Sequence, residues 1–357
     1  METVLICPLD WGLGHASRNV IIIKKLLANN FKVIIGADKA PLAFLRTEFP
    51  ELHYIKIPSV RIKYPKGKHM AFKMLLSVPK LLSGIYKEHL ELKKIISQQK
   101  IDAVISDNRF GLWNKKLYSV FISHQIEIQT PGYLSFVKPV INKINHWFIN
   151  KYDICWIPDL PEEEKLAGSL SQISGKLRNT KYIGLLSRFQ YNELNTKKYD
   201  IALILSGPEP QRSIFEQIMV HEIRKTGYKA IVVLGKPKEK NIFYEGNIEY
   251  VNHLKTNELQ QLILSSELVI SRSGYSSIMD YVRLRKNAIL VPTPGQTEQE
   301  YLAKRLMKKK WFYSISQYGF DFKKAINDCA AYQVPDINIS TDLLEIEIRN
   351  LREKLYL

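Results

Sequence analysis

A glycine-rich loop near the start of the chain carries a histidine that is well placed to act on a ligand. Gly12, Gly14 and His15 follow the apolar run 4–7, and a helical pattern of apolar residues begins at Arg18. Glycines let a backbone pass close to a ligand, and a helix N-terminus offers free N–H groups to an anion. A neutral imidazole near pH 7 can take a proton from a hydroxyl. The loop predicts a catalytic base at His15 or, alternatively, a histidine that only caps the turn.

The same loop partly matches a dinucleotide-binding fingerprint. Ser17 occupies the third glycine position of G-x-G-x-x-G, and Asp38 follows the second apolar run, where such an enzyme holds ribose. A nicotinamide-binding enzyme is therefore an alternative. Asp107, at the end of another apolar run, is a candidate to orient His15 or to act as the base itself, against the alternative of a solvated aspartate at a strand end.

Two later loops are suited to a phosphorylated ligand. Ser206 and Gly207 close the apolar run 200–205, and Arg212 follows them, although Pro208 and Pro210 are equally typical of a plain rigid turn. The stronger pattern is at 269–280, where a strand leads through a Gly/Ser turn into a helix whose amides would face a diphosphate. The backbone N–H groups of this turn and the hydroxyls of Ser276 and Ser277 are expected to face that diphosphate.

Asp280 lies inside that helix, where it would accept hydrogen bonds from ribose hydroxyls. The alternative is structural, because Ser277-x-x-Asp280 resembles a capping box that needs no ligand. Gln296 and Gln299 lie in a polar loop after the next strand, where a sugar would be held. The sequence contains no P-loop, no Asp-x-Asp and no His-Glu-x-x-His motif, so we expect no metal and no cofactor.

The elements that must position these loops alternate between short apolar runs and longer amphipathic segments. Runs of about four apolar residues separated by helical patterns predict parallel strands with helical crossovers. The pattern breaks over 159–198 and restarts at residue 200. We therefore predict an α/β protein with two Rossmann-like, doubly wound domains: residues 1–185, residues 186–342, and a final helix 343–357 that returns to the first domain.

Composition limits the class of protein. The chain has 357 residues, 45% of them hydrophobic, and a formal net charge of +17. Such a surface should attract polyanions or anionic substrates. The three cysteines are far apart, the N-terminus lacks a basic leader, and no apolar run approaches the ~20 residues that span a bilayer. We expect a cytoplasmic protein, with peripheral contact at the inner face of the membrane as an extension.

Together, Gly12-Leu-Gly-His15 and Ser271-Arg-Ser-Gly274 with Asp280 and Gln299 resemble the GT-B glycosyltransferases of family 28, the MurG-like and monogalactosyldiacylglycerol-synthase-like enzymes. The resemblance implies two Rossmann-like domains that face a cleft. It implies inverting, metal-independent transfer of a sugar, N-acetylglucosamine or another hexose, from a UDP-sugar to a hydroxyl of a lipid-linked or saccharide acceptor of the cell envelope. The family's ribose-binding glutamate is an aspartate here, and of its glutamine pair only Gln299 is present.

The resemblance also implies roles by position. Ser206 and Gly207 would lie on a diphosphate loop. The residues implied to contact the phosphates are Arg272, Ser273, Gly274 and Ser276. His15 would be the base, and Gln299 would contact sugar hydroxyls. The segment expected to contact uracil contains Val251, His253 and Leu254.

Two alternatives stay open. The Gly-x-Gly-His…Arg18 pattern also resembles the UDP-sugar hydrolase of pseudaminic-acid synthesis, which passes the sugar to water. A non-catalytic binder of membrane or nucleic acid is the other, because nine basic residues lie among apolar ones over 61–94. A solvated helix face explains that stretch equally well. No nucleic-acid-binding module is recognisable, and we expect no nucleic-acid partner.

Overall fold

The computed structural model describes residues 1–59, 77–161, 165–173, 175, 177–192, 196–236, 242–337 and 342–356. The first half of the chain forms a seven-stranded sheet in the order β3-β2-β1-β4-β5-β6-β7, with every neighbouring pair parallel. Its strands are β1 (Thr3–Pro8), β2 (Lys32–Ala37), β3 (His53–Lys56), β4 (Ala103–Asp107), β5 (Tyr118–Ile122), β6 (Ile154–Ile157) and β7 (Thr180–Tyr182).

Helices cover both faces of this sheet, which is why its strands are apolar on both sides. On one face Val20 and Ile23 pack in the same cluster as Val4 and Ile6, and on the other Leu92 packs with Leu5 and Cys7. The described helices of this half are α1 (Leu13–Ala28), α2 (Lys39–Glu48), α3 (Val78–Gln98) and α4 (Lys138–Ile149), with short 3-10 helices at Gly132–Val137 and Gly168–Ser171.

The second half repeats the architecture. Its sheet has the order β10-β11-β9-β8-β12-β13-β14, and its neighbouring pairs are parallel apart from β10 with β11. Its strands are β8 (Tyr199–Ile204), β9 (Ala230–Val233), β10 (Ile242–Glu245), β11 (Ile248–Val251), β12 (Ser266–Ser271), β13 (Ala288–Leu290) and β14 (Tyr313–Ser314). Its helices are α5 (Gln211–Arg224), α6 (Thr256–Leu264), α7 (Tyr275–Arg283), α8 (Thr297–Lys308) and α9 (Phe322–Cys329). The predicted fold class, two doubly wound parallel sheets, is confirmed.

The last described helix, α10 (Asp342–Tyr356), packs on α1 in the first half. Leu344, Ile348 and Leu351 are buried there in the same apolar cluster as Val20. Lys25 forms an ion pair with Glu345 at 3.1 Å. The predicted boundary at 185/186 falls between β7 and β8 and stays a prediction. Within the described residues, no helix is both long and apolar enough to cross a bilayer.

Candidate active site

The first glycine loop brings the two halves of the molecule close together. Gly12 precedes α1 with φ of 131°, a conformation that favours glycine. A Cβ on Gly14 would lie 3.3 Å from the Oγ of Ser276 in the second half, so a side chain at position 14 would require Ser276 to shift. The Oγ of Ser276 donates a hydrogen bond to the carbonyl of Gly14 at 2.9 Å. His15 therefore lies beside the N-terminal turn of α7.

The first turns of α1 gather three side chains around one buried carboxylate. Asp107 ends β4 directly beside Pro8 of β1, and it is fully buried. The Nδ1 of His15 lies 2.9 Å from its Oδ1, and the Nε of Arg18 donates to its Oδ2 at 2.8 Å. The Nδ2 of Asn19 donates to the same Oδ2 at 2.6 Å. Positions 15, 18 and 19 lie on one helix face, which explains why all three reach Asp107.

The charge of Arg18 determines the state of Asp107. Burial would raise the pKa of Asp107, but the charges and hydrogen bonds of Arg18 and His15 outweigh it and hold the pKa well below its ordinary value. The ionised carboxylate accepts a hydrogen bond from the Nδ1–H of His15. That tautomer leaves the Nε2 of His15 as a free acceptor, and the His15 side chain is 19% exposed.

A second histidine, not identified from the sequence, extends this network across the cleft. Arg18 donates through Nη1 to the Nδ1 of His124 at 3.2 Å, so the Nε2–H of His124 donates to Glu298 at 2.7 Å. The His124 ring stacks on Tyr275, with centroids 4.1 Å apart. Burial lowers the pKa of His124. A histidine inside an ordinary loop carries no sequence signal for such a position.

The second half contributes a helix N-terminus and a carboxylate. The N-cap of α7 is Gly274, and no side chain caps the helix there, so the Ser277–Asp280 capping box is not formed. Asp280 instead accepts a hydrogen bond from the Oγ of Ser187 at 2.6 Å. Burial raises the pKa of Asp280 to about 6, although Arg188 and Ser187 oppose that shift. Asp38, the ribose residue of the nicotinamide alternative, caps α2 by accepting from the N–H of Lys39.

Arg188, also missed from the sequence, reaches the cleft from the segment between the sheets. Its guanidinium lies 5.2 Å from the ring centroid of Phe44 and 5.0 Å from that of Phe189. Burial lowers the pKa of Arg188, while Asp280 and Glu48 raise it. The Nε of Arg188 has no hydrogen-bond partner among the described residues. A buried cation with a free donor is suited to an anionic ligand.

Four of the residues predicted to contact the ligand have side chains that do not line the cleft. The guanidinium of Arg272, predicted to contact the phosphates, is buried over Phe215. It donates to the carbonyls of Val291, Pro292 and Gln211. Burial lowers its pKa to about 9.

Arg212 donates to Glu209 and Glu216 at 2.7 Å each, so its charge is already neutralised outside the cleft. Ser273 is buried and donates to the carbonyl of Gln299 at 2.9 Å. Val251 is a buried core residue of β11. Arg212, Ser273 and Val251 are therefore not cleft-lining side chains, and the same holds for Arg272.

The other predicted residues surround one cavity of about 200 Å³ between the two halves. Asp107 lies behind His15. The predicted residues that line the cavity are Gly12, Gly14, His15, Arg18, Ser206, Gly207, His253, Leu254, Gly274, Ser276, Asp280, Gln296 and Gln299. Ligand sites are usually about 300–1,000 Å³, so a large ligand requires the two halves to move apart.

Comparison with known proteins explains this arrangement. Residues 202–339 match the model of the glycosyltransferase family 28 C-terminal domain. The chain is a GT-B glycosyltransferase with a family 28 C-terminal domain. Both the fold and the resemblance predicted from the sequence are confirmed.

Relatives of this glycosyltransferase are identical to it at about a quarter of the aligned residues. It is 24% identical over 291 residues to the UDP-N-acetylglucosamine–N-acetylmuramyl-(pentapeptide) pyrophosphoryl-undecaprenol N-acetylglucosamine transferase of Staphylococcus aureus (strain bovine RF122 / ET3-1), covering 78% of this chain and 76% of that one. It is 24% identical to the enzyme of the same name from Clostridium botulinum (strain Alaska E43 / Type E3), covering 78% and 75%.

Solved structures share the fold of this glycosyltransferase at lower identity. MurG of Acinetobacter baumannii has a TM-score of 0.53 at 11% identity, with 99% of this chain and 95% of that one covered. The spinosyn rhamnosyltransferase SpnG has a TM-score of 0.61 at 13% identity, with 100% and 96% covered.

Proposed function

We propose that this glycosyltransferase is an inverting, metal-independent enzyme that moves a sugar from a UDP-sugar to a hydroxyl of a lipid-linked or saccharide acceptor of the cell envelope. The observation that carries the proposal is the His15–Asp107 pair beside the uncapped N-terminus of α7. The names of the bacterial relatives favour N-acetylglucosamine or another hexose as the sugar.

The chemistry follows from these positions. The Nε2 of His15 takes the proton of the acceptor hydroxyl, whose oxygen attacks C1 of the sugar. The bond from C1 to the diphosphate oxygen breaks, and UDP leaves with the bonding electrons. Negative charge grows on the diphosphate in the transition state, where the amides of α7 and the guanidinium of Arg188 stabilise it most. Asp107 stabilises the imidazolium that forms on His15.

Replacement of Asp280 tests whether this residue binds the donor. We propose that its carboxylate accepts hydrogen bonds from the ribose, with His253 and Leu254 beside the uracil. Asp280→Ala should weaken binding of UDP-N-acetylglucosamine by about 10- to 100-fold, because a hydrogen bond to a charged group contributes ~1.5–3 kcal/mol. Calorimetry measures this directly. An unchanged affinity would mean that Asp280 only holds Ser187.

The same binding should depend on pH. Because the pKa of Asp280 is raised to about 6, its carboxylate is ionised above that pH and becomes protonated below it. Affinity should fall by about tenfold between pH 7 and pH 5. Asp280→Asn is the matched control, since it keeps the side-chain shape and should remove this fall while the other titrating groups stay in place. The diphosphate of a UDP-sugar is a diester and does not titrate in this range.

A hydrolase is the second candidate function. The small volume of the cavity, about 200 Å³, favours it, because water fits such a space more easily than a bulky acceptor. The same His15–Asp107 pair would activate that water. Whether UDP release needs an acceptor therefore distinguishes the two functions.

We also propose contact with an anionic membrane through an apolar stripe on α3, the 3-10 helix Gly132–Val137 and α4. The part of the predicted stretch 61–94 up to residue 76 lies outside the described residues. Trp113 connects α3 and α4, since its ring packs on His89 of α3 and Lys151 lies over both Trp113 and Trp147 of α4. Exposed residues of the apolar stripe are Val78, Leu82, Tyr86, Leu90, Tyr133, Phe136, Val140, Ile144 and Trp147. Residues 130–152 include three lysines and no acid, which suits anionic lipid.

One experiment tests these proposals together. The protein is incubated with a panel of UDP-sugars, and released UDP is measured with and without a bacterial lipid extract. Release that requires the extract supports transfer, and release without it supports hydrolysis. No release and no thermal stabilisation by any UDP-sugar would overturn the proposed function. Co-sedimentation with phosphatidylglycerol vesicles, against phosphatidylcholine vesicles, tests the membrane contact.

A further inference from the structure

A second and larger cavity, the boundary groove, lies outside the cleft where the two halves meet. Its volume is about 540 Å³. Pro131 and Tyr133 of the first half form one wall, and residues of α8, β14 and their neighbouring loops form the rest. Tyr133 and Tyr318 at its wall are 65% and 49% exposed. Large aromatic side chains that stay exposed around a cavity are typical of a binding site.

The boundary groove and the cleft share one segment of chain. Gly295, Thr297 and Glu300 line the boundary groove, whereas Gln296, Glu298 and Gln299 line the cleft. The Oγ of Thr297 donates to the carbonyl of Gln129 at 3.1 Å and ties this segment to the first half. A ligand in the boundary groove therefore lies one residue layer from the side chains proposed to hold the donor sugar.

The boundary groove also continues the apolar stripe. Tyr133 belongs to both, and Phe136 follows it on the same 3-10 helix at 75% exposure. Met307 and Ile315 add apolar surface on the opposite wall. Tyr133 thus joins the proposed membrane-contact surface to the boundary groove.

The charged side chains of Glu300 and Lys304 line the boundary groove, and they differ in whether they are engaged with neighbouring groups. The carboxylate of Glu300 accepts a hydrogen bond from the N–H of Gly295 at 2.7 Å, so it is engaged within its own loop. Lys304 is exposed, and over the described ranges it forms no ion pair. A free ammonium beside apolar walls complements an amphiphile with an anionic group next to its chain.

We infer that the boundary groove binds the acceptor of this glycosyltransferase, an amphiphile whose apolar chain lies between Tyr133 and Met307 and whose anionic head lies beside Lys304, next to the segment 295–300. The inference rests on the proposed function for its chemistry. It assigns the acceptor to a site built by both halves, outside the cavity that contains His15. The halves must then separate along this segment before the head reaches the donor sugar.

Photolabelling with a diazirine-bearing dodecyl phosphate, used below its micelle concentration, tests the site. Label should appear on peptides that contain Tyr133 or residues 303–318. Ser316→Trp, which places a large side chain in the boundary groove, should lower the labelling of these peptides by about tenfold or more. The affinity for the probe falls by about that factor when roughly two of its methylenes can no longer be buried. Tyr133→Ala should lower it in the same direction. Tyr244→Ala, an exposed tyrosine on β10, is the matched control and should change nothing.

Thermal stabilisation by UDP-N-acetylglucosamine is measured on every variant, and it should be unchanged if the variants are folded. Label confined to α3 and α4, or label in the boundary groove that Ser316→Trp leaves unchanged in a protein that still binds donor, would overturn the inference. A native protein that is labelled in the boundary groove but binds no UDP-sugar would support the site and reject the proposed function. The two failures are therefore distinguishable.

Discussion

Replacement of His15 by alanine should lower turnover by about 100-fold or more while the affinity for a UDP-sugar stays nearly unchanged. The reason is that the proposed base and the proposed donor-binding residues lie on different elements of the structure. His15 lies on α1 and is held by Asp107, whereas the donor contacts that we propose come from α7, Asp280 and Arg188. Loss of the base should therefore affect the chemical step, which single-turnover kinetics measures, and calorimetry should show intact donor binding.

His53→Ala is the matched control, because His53 is an exposed histidine on β3 of the same half. It should leave turnover and donor affinity unchanged. Normal turnover in His15→Ala would place the base elsewhere. Equal losses of turnover and donor affinity would instead assign His15 to the phosphates, and the first glycine loop would then be a nucleotide-binding element.

Replacement of Asp107 by asparagine should cost about 3–5 kcal/mol of folding free energy, because it leaves the buried guanidinium of Arg18 without its counter-ion. The low pKa of Asp107 points the same way. An acid with a depressed pKa stabilises the fold above its ordinary pKa, and that stabilisation is lost only as the pH falls through the lower value of the folded state. Urea unfolding at neutral pH measures the loss.

Asp102→Asn provides the comparison, since the carboxylate of Asp102 accepts a hydrogen bond from the N–H of Thr3 at 2.8 Å in the same sheet. Its replacement should cost about 1 kcal/mol. The double variant Asp107→Asn with Arg18→Met should lose less than the sum of the two single losses, because the cation is removed with its partner. Strict additivity would show that the ion pair is not what stabilises this site.

The sequence predicted the strands that begin each half because they are short, continuous apolar runs. It missed β6 and β7, which lie next to the polar stretch where the pattern appeared to stop. β7 has three residues, two of them polar, and pairs only with β6 at the sheet edge. Such a strand is defined by its neighbour and leaves little periodicity in the sequence. The same is true of β14, with two residues.

The sequence predicted those parts of the site that are marked by glycines and by the first residues of helices. Gly12, Gly14 and Gly274 mark turns that the chain needs for close approach, and those positions do line the cleft. The directions of the arginine side chains could not be predicted from the sequence. A guanidinium reaches about as far as the neighbouring strand, so it can lie on either side of its own backbone. Arg272 points into the core and Arg188 points into the cleft, and only the packing around each decides between these directions.

The return of α10 to the first half has a consequence for synthesis on the ribosome. Leu344, Ile348 and Leu351 complete an apolar cluster whose other members, such as Val20, are made more than three hundred residues earlier. The first half of the chain therefore keeps an uncovered apolar surface on α1 while the second half is translated. A nascent chain stalled before α10 would expose this surface to chaperones, so the half that is made first is completed last.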